Sequence, residues 1–446
     1  MYSSSVEKIL KKNNIAVGDR IHVESEQGTF EGLLMPRTYE SEIIVLKLDN
    51  GYNIGIKLDA KTSGNIKLLA KSENKKEIKE IEQHHGEIAI LGCGGTIASK
   101  IEYKTGAVFP AISPQELRAT FPSIENIATI HTKQLFHLFS EDISSKHWQV
   151  IADAIAKEIK ENVNGVVLMH GTDMMHYSAA AISFMLQNLP VPVIFVGAQR
   201  SSDRPSSENK MNMLNAVFAA KQDVAEVSVC MHASTNDDFC YLHRGVRARK
   251  FHTSRRDAFK SVNSKPLAVV DHTNNKFDII IDGDYRKRDD SNKTKLKIDT
   301  RMNENVAMIY AHPNLSPKFI AKLSDFDGVV ILGTGLGHVS TNPFEDKNAK
   351  AVLPEVKSLI DSGIPVVMAP QAIFGRVDMK VYTTGRLLSD AGVIGDGCDW
   401  TAETAFCKLS WVLGHTKDMK KIKEEMLTNF AGELSERSPL DFELEE

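Results

Sequence analysis

The chain has 446 residues, with 54 Lys plus Arg against 58 Asp plus Glu and a formal net charge of -4. That length exceeds one ordinary core and predicts two or three domains; the 42% hydrophobic and 25% charged fractions are those of a soluble globular protein, without the bulk positive charge that draws a chain to nucleic acid, although local patches stay open. Five cysteines (Cys93, Cys230, Cys240, Cys398, Cys407) form no CxxC pair, so neither a disulfide framework nor a zinc site is indicated, and a reducing cytoplasm fits.

The opening MYSSSVEKILKKNN has no apolar core of signal-peptide type, and no later run approaches the ~20 apolar residues that a bilayer span requires. Short alternating segments then follow at Asp19 to Val23, Thr29 to Met35, Glu42 to Leu48 and Tyr52 to Leu58. The turn signal Asp49-Asn50-Gly51 favours a tight hairpin, so this stretch is expected to form a small antiparallel β-barrel-like module over residues 1–80. It carries no aromatic platform interleaved with Arg of the kind that stacks on bases, which favours a spacer or docking role over nucleic-acid binding. From Lys71 to His85 both signs of charge mix with few apolar residues, as in a solvated helix or linker, and the domain boundary is placed there.

After Gly86, apolar strands alternate with helix-length segments, the pattern of βαβ units around a parallel sheet. The first unit is EIAILGCGGTIASK, Glu87 to Lys100. An Ile-rich strand runs into Gly92, Gly94 and Gly95, which permit positive φ and close approach, and delivers Thr96 at its tip. The alternative is a plain turn whose threonine caps the next helix. Further strands lead to His170-Gly171-Thr172-Asp173, to Gly197-Ala198-Gln199-Arg200, to His232, to Gly333-Thr334-Gly335-Leu336-Gly337 and to Ala369-Pro370-Gln371. In a doubly wound sheet, Thr96 and Thr172-Asp173 could meet at one carboxyl edge. A threonine hydroxyl needs a neighbour to take its proton, and a lysine held by a carboxylate could do so. Lys250 and Lys260 lie in the basic run His243 to Lys260, whose composition alone reads as a solvated basic face or a phosphate-contacting patch. The charged stretch Arg286 to Thr300 reads as the connection between two lobes, 86–290 and 300–446. In the second lobe, Trp400 and Trp411 flank a helix-like Ala402 to Leu409 and offer apolar surface for self-association.

Gly94 to Ala98 (GGTIA), His170 to Asp173 (HGTD) and a lysine eleven residues before the serine of Phe259-Lys260-Ser261 together resemble the signatures of the bacterial-type asparaginase family. The resemblance implies an asparaginase-like α/β fold of two doubly wound lobes, with the larger one first and carrying the active site. It places the threonine nucleophile on Thr96, with Thr172 as rival for first attack, and the accompanying relay on Thr172, Asp173 and Lys250. Tyr103 with Gly106 is similar to the family's lid tyrosine, and Ser140-Glu141-Asp142 to its substrate-gripping Ser-Gln-Asp, with Glu141 in place of Gln. In such a site Thr96 Oγ attacks a side-chain amide, ammonia leaves an acyl-enzyme, and water frees the acid. No metal is needed.

The leading β module and the run Gly197 to Ser207 (GAQRSSDRPSS) resemble the GatD branch, the amide-hydrolysing chains of archaeal glutamyl-tRNA(Gln) amidotransferases. That resemblance implies hydrolysis of Gln or Asn and transfer of the ammonia to a partner of the GatE type, where Glu-tRNA(Gln) becomes Gln-tRNA(Gln). No cofactor is expected in this chain. ATP and Mg would be used by the partner, and the chain itself lacks the Gly-x4-Gly-Lys-Ser/Thr phosphate loop. A homodimer or two-plus-two complex in the cytoplasm is expected, without membrane contact. The alternative is a free-standing L-asparaginase; a non-catalytic RNA scaffold would need the matching signatures to be coincidental.

Overall fold

The computed structural model describes residues 2–26, 28–35, 42–48, 53–58, 65–71, 86–95, 97, 99–102, 107–110, 122–201, 207–281, 283–289 and 295–438. Thr96, Tyr103, the Asp49-Asn50-Gly51 turn and the expected linker over 72–85 lie outside them.

The chain begins with a helix that its sequence pattern did not announce, α1 (Ser4–Lys12). Ser3 caps it by accepting the Val6 N–H at 3.4 Å, and Val6 and Leu10, one turn apart, face inward. The four expected strands form as β1 (Arg20–Ser25), β2 (Gly28–Leu34), β3 (Ile43–Lys47) and β4 (Asn53–Lys57). A fifth, β5 (Ile66–Ala70), completes an antiparallel sheet in the order β4-β3-β2-β1-β5. Alternate residues Ile21, Val23, Leu34, Ile44, Leu46 and Ile56 close a core with the inner face of α1. Among the described residues no ladder joins the outer strands β4 and β5.

From Gly86 the chain builds β6 (Ile88–Gly94), then the hairpin β7 (Ser99–Glu102) and β8 (Ala107–Pro110), then β9 (Ile130–Leu138). Helix α2 (Ser145–Lys160) leads to β10 (Gly165–Met169), and α3 (Met175–Met185) runs into the short β11 (Leu186–Gln187) and β12 (Val193–Val196). Helix α4 (Asn209–Ala219) precedes β13 (Val227–His232), after which the chain turns antiparallel through β14 (Cys240–Arg244). A separate hairpin, β15 (Ala248–Lys250) with β16 (Phe259–Ser261), precedes β17 (Ala268–Asp271) and β18 (Lys276–Ile279). The sheet order is β18-β17-β14-β13-β12-β10-β6-β9, parallel from β13 to β9. Strand pleating divides β6 between two cores: Ala89 and Leu91 pack with α2 and α3, whereas Ile88 and Ile90 pack with α4. This is the expected doubly wound arrangement. Among the described residues the first strands after the glycine turn are the paired β7 and β8.

The connection to the second lobe is less featureless than its composition suggested, for β19 (Lys297–Ile298) pairs with β11. Beyond it, β20 (Val306–Tyr310), β21 (Gly328–Gly333) and β22 (Val366–Pro370) form a parallel sheet. One face is covered by α5 (Pro317–Ala321), α6 (Leu353–Asp361) and α7 (Thr383–Asp390). The other joins the core of the large lobe through α8 (Ala402–Leu413) and α9 (Met419–Leu427). Helix α8 is sandwiched, which corrects the expected self-association surface: Trp400 and Trp411 are buried within the chain. Trp400 donates to Met368 O at 3.2 Å, and Trp411 stacks on Phe184 at 6.0 Å and donates to Asp299 O at 3.0 Å. Among the described residues no helix is long and apolar enough to cross a membrane.

The basic run His243 to Lys260 is a solvated face only over 251–255, and its arginines and Lys250 are paired. Arg244 meets Glu226 at 2.6 Å, Arg247 meets Asp399 at 3.1 Å and Arg249 meets Glu403 at 3.2 Å. Lys250 meets Asp173, Arg255 meets Asp257 and Arg256 meets Asp237, each at 2.7 Å. The carboxylates come mostly from distant parts of the chain, which is why composition alone misread the run. Arg247 is fully buried and also donates to Gly432 O at 2.9 Å and Ser435 Oγ at 2.8 Å. Beside it the buried Lys408 ammonium meets Glu433 at 2.6 Å and donates to Met426 O at 2.8 Å. These contacts bind the segment after α9 to both lobes.

Candidate active site

Because β6, β10 and β12 are parallel and in register, their tips reach the same edge of the sheet, where open α/β sheets bind ligands. The tips interlock through glycine. Gly95 has φ +82, and a Cβ there would stand 2.2 Å from Gly171 N; one on Gly94, with φ +94, would stand 2.3 Å from Leu138 O. A Cβ on Gly171 would in turn meet Ser140 Cβ at 2.8 Å. Only hydrogen fits at these positions, which explains the glycine pair ahead of Thr96. Behind the tip of β10, His170 is fully buried, bonded through Nδ1 to Gly171 O at 2.7 Å, and burial lowers its pKa to about 4. It is a neutral packing element.

Three of the residues expected in the relay meet here. Lys250 Nζ, at the end of β15, donates to Thr172 Oγ1 at 2.9 Å and to Asp173 Oδ1 at 2.7 Å. The Lys250 side chain is 8% exposed while that of Asp173 is 65% exposed, so the ammonium comes from inside and the carboxylate faces solvent. Pairing of Lys250 with Phe259 across the β15–β16 hairpin fixes its approach, with Phe259 buried as the anchor. Ser140, on a single turn after β9, is buried and its Oγ accepts the Met174 N–H at 3.3 Å. This bond ties the β9 tip to the chain just beyond Asp173.

Gly95, Ser140, Glu141, Thr172, Asp173 and Gln199 are among the residues lining a cavity of about 310 Å³ at this edge. Thr96 and Tyr103, expected as nucleophile and lid, lie outside the described residues. Gln199, Arg200 and Phe139 also line the cavity and were not among the expected site residues. The signal for Gln199 and Arg200 was present, since they follow a strand that ends beside the other tips. A larger cavity, about 1820 Å³, lies elsewhere, between β14 and the segment after α9, and contains none of the expected site residues. Among the described residues no group of His, Cys, Asp and Glu is arranged to hold a metal ion, and all five cysteines are buried and free.

Residues 87–280 match the asparaginase N-terminal family, residues 305–426 the glutaminase/asparaginase C-terminal domain, and residues 15–69 the GatD N-terminal domain. The chain is 45% identical over 442 residues to the D chain of the glutamyl-tRNA(Gln) amidotransferase of Pyrococcus furiosus, covering 96% of this chain and 97% of that protein. It is 41% identical over 450 residues to the protein of the same name from Methanobrevibacter smithii, covering 99% of each. Among solved structures, the thermostable L-asparaginase from Thermococcus kodakarensis superposes with a TM-score of 0.68 at 28% identity, covering 78% of this chain and 99% of that one. L-asparaginase I from Vibrio cholerae gives 0.66 at 29% identity, covering 78% and 98%. With its asparaginase-like lobes, its leading β module and its near full-length identity to those relatives, the chain belongs to the GatD family of glutamyl-tRNA(Gln) amidotransferases.

Proposed function

We propose that this chain hydrolyses the side-chain amide of glutamine or asparagine and supplies the ammonia to a GatE-type partner that converts Glu-tRNA(Gln) to Gln-tRNA(Gln). The observation that carries the reading is the largely enclosed Lys250 side chain, its ammonium bonded at once to Thr172 and Asp173 beside the glycine turn that precedes Thr96. Thr96 is the nucleophile: it follows Gly95, which lines the cavity. Its Oγ attacks the amide carbon, the C–N bond breaks, and ammonia departs with the proton that Thr96 gave up. Water then attacks the ester and returns the hydroxyl proton to Thr96, releasing the acid. Lys250 moves protons through Thr172 Oγ1 while Asp173 holds the ammonium in place. Ser140 and Glu141 grip the amino-acid end of the donor, and Tyr103 closes over it.

Activation of the tRNA-linked glutamate, with ATP and Mg, is assigned to the partner, and the complex is expected to be two-plus-two around a homodimer in the cytoplasm. The full-length relatives are named as one component of an amidotransferase, which supports the existence of a partner. The likeness to L-asparaginases favours a second reading, turnover of asparagine without any partner.

Thr96→Ala tests the assignment. In complex with its partner, the variant should lose glutamine- and asparagine-dependent amidation and keep the reaction driven by free ammonium. Donor-dependent activity in the variant would unseat Thr96, and loss of the ammonium reaction in a folded complex would place part of the amidation site on this chain. Rapid asparagine turnover by the isolated chain, unaffected by partner and tRNA, would favour the second reading.

A further inference from the structure

The first turn of α4 reaches into the loops that carry both threonines. Asn209, 1% exposed, donates from Nδ2 to Ile97 O at 2.8 Å, and Ile97 is the residue directly after Thr96. Glu208, also 1% exposed, accepts the Gln199 N–H with Oε1. Gln199 Oε1 in turn accepts from Thr172 Oγ1 at 3.5 Å. Asn212 donates to Gly197 O at 2.9 Å, and a Cβ on Gly197 would stand 2.7 Å from Thr172 Cγ2, so this loop also presses directly on the second threonine. The bonds from Asn209 and Asn212 are wholly buried and join segments 112 and 15 residues apart.

Three atoms of this cluster are left over among the described residues. Glu208 Oε2, Asn209 Oδ1 and Gln199 Nε2 are buried with no hydrogen-bond partner among the described residues, and Gln199 lines the cavity. A buried polar atom without a partner is expensive, so its retention next to a cavity needs a reason beyond filling space. Holding Gln199 against Thr172 supplies one.

We propose that Glu208 and Asn209 are positioning residues for amide hydrolysis, setting from one helical turn the separation between the Thr96 loop and the Thr172 loop. This rests on the proposed amidase reading. Asn209 fixes the backbone just beyond Thr96, and Glu208 fixes Gln199 and through it the hydroxyl to which Lys250 donates. A displacement of either loop by a fraction of an ångström separates the attacking oxygen from the group that handles its proton. The step that suffers is chemistry, not binding of the donor.

The experiment measures amide hydrolysis by the assembled complex for Asn209→Ala, Asn209→Asp, Glu208→Ala and Glu208→Gln, with Lys250→Ala alongside. The Asn209 variants and Glu208→Ala should lower kcat at least tenfold with KM within about threefold of the parent, and the ammonium-driven amidation should be unchanged. Glu208→Gln keeps an acceptor for the Gln199 N–H and should recover most of what Glu208→Ala loses. The proposal is overturned if kcat stays within twofold in folded variants, if KM alone moves, or if Glu208→Gln is as impaired as Glu208→Ala. If the Asn209 variants fail to fold, the Glu208 pair decides. Lys250→Ala separates the two levels: full activity there removes the amidase reading itself, whereas its loss alongside intact Asn209 and Glu208 variants removes only the positioning role.

Discussion

At the level of single residues, the constraint on the candidate site falls on glycine and on buried histidine. Gly95→Ala would force a Cβ onto the Gly171 backbone at a positive φ, so we expect a stability loss of about 2 kcal/mol or more, read as a lower melting temperature. Amide hydrolysis should fall with it. Burial lowers His170 and His176 to about 4 and His243 to about 3, all from an ordinary 6.5. Between these values the unfolded chain binds more protons than the folded one, so the stabilisation is complete above pH 6.5 and is lost as pH falls toward 4. A melting series from pH 7.5 to 4.5 should therefore show a progressive drop, on the order of 3 kcal/mol for each such histidine at the acid end. A flat series would mean that these rings are not held neutral. Lys250→Arg keeps charge but alters the geometry that meets Thr172 and Asp173, and it should reduce hydrolysis by roughly 10²-fold or more.

Among elements, the strands of the large lobe were legible because a buried parallel strand writes itself as an apolar run, as Val166 to Met169 and Val193 to Val196 do. Their register was not written locally, yet any parallel order brings such tips to one edge. Two short elements escaped. Helix α1 buries only Val6 and Leu10, and the β7–β8 hairpin offers four residues a side, too few for a period to stand out. The basic run and α8 were misread for a shared reason: which face is covered depends on partners far away in sequence. Arg247 finds Asp399, and Trp411 finds Phe184. Lys408 on α8 makes the point in energy. Lys408→Met would strand the Glu433 carboxylate in the core, a change expected to destabilise by about 3–5 kcal/mol. Denaturant unfolding of the variant checks it, and a change under about 1 kcal/mol would show that the pair is dispensable.

Across the whole molecule, the N-terminal module has its own core, separate from those of the two lobes. The remaining lobes correspond to an entire L-asparaginase, 99% of which is covered in the superposition with the Thermococcus kodakarensis enzyme. A chain beginning at Gly86 is therefore expected to fold and to hydrolyse the amide donor with kcat/KM within about threefold of the full chain, since no described module residue lines the candidate site. An insoluble or inactive truncated chain would show that the module completes the catalytic lobes.

The Arg247 and Lys408 contacts also bear on the order in which the chain can fold as it is made. Strands β6 to β13 can assemble early, because their partners are consecutive and close. The strand carrying Lys250 also holds Arg249 and follows Arg247, which is satisfied by Asp399, Gly432 and Ser435, residues made much later. A buried guanidinium without those acceptors is unfavourable, so a large lobe lacking them is expected to hold its lysine less firmly than the whole chain does. Amidase competence is therefore expected to depend on those contacts, and a chain cut before Asp399 should hydrolyse amide poorly even where it folds; full activity in such a fragment would show that the contacts do not matter to the site.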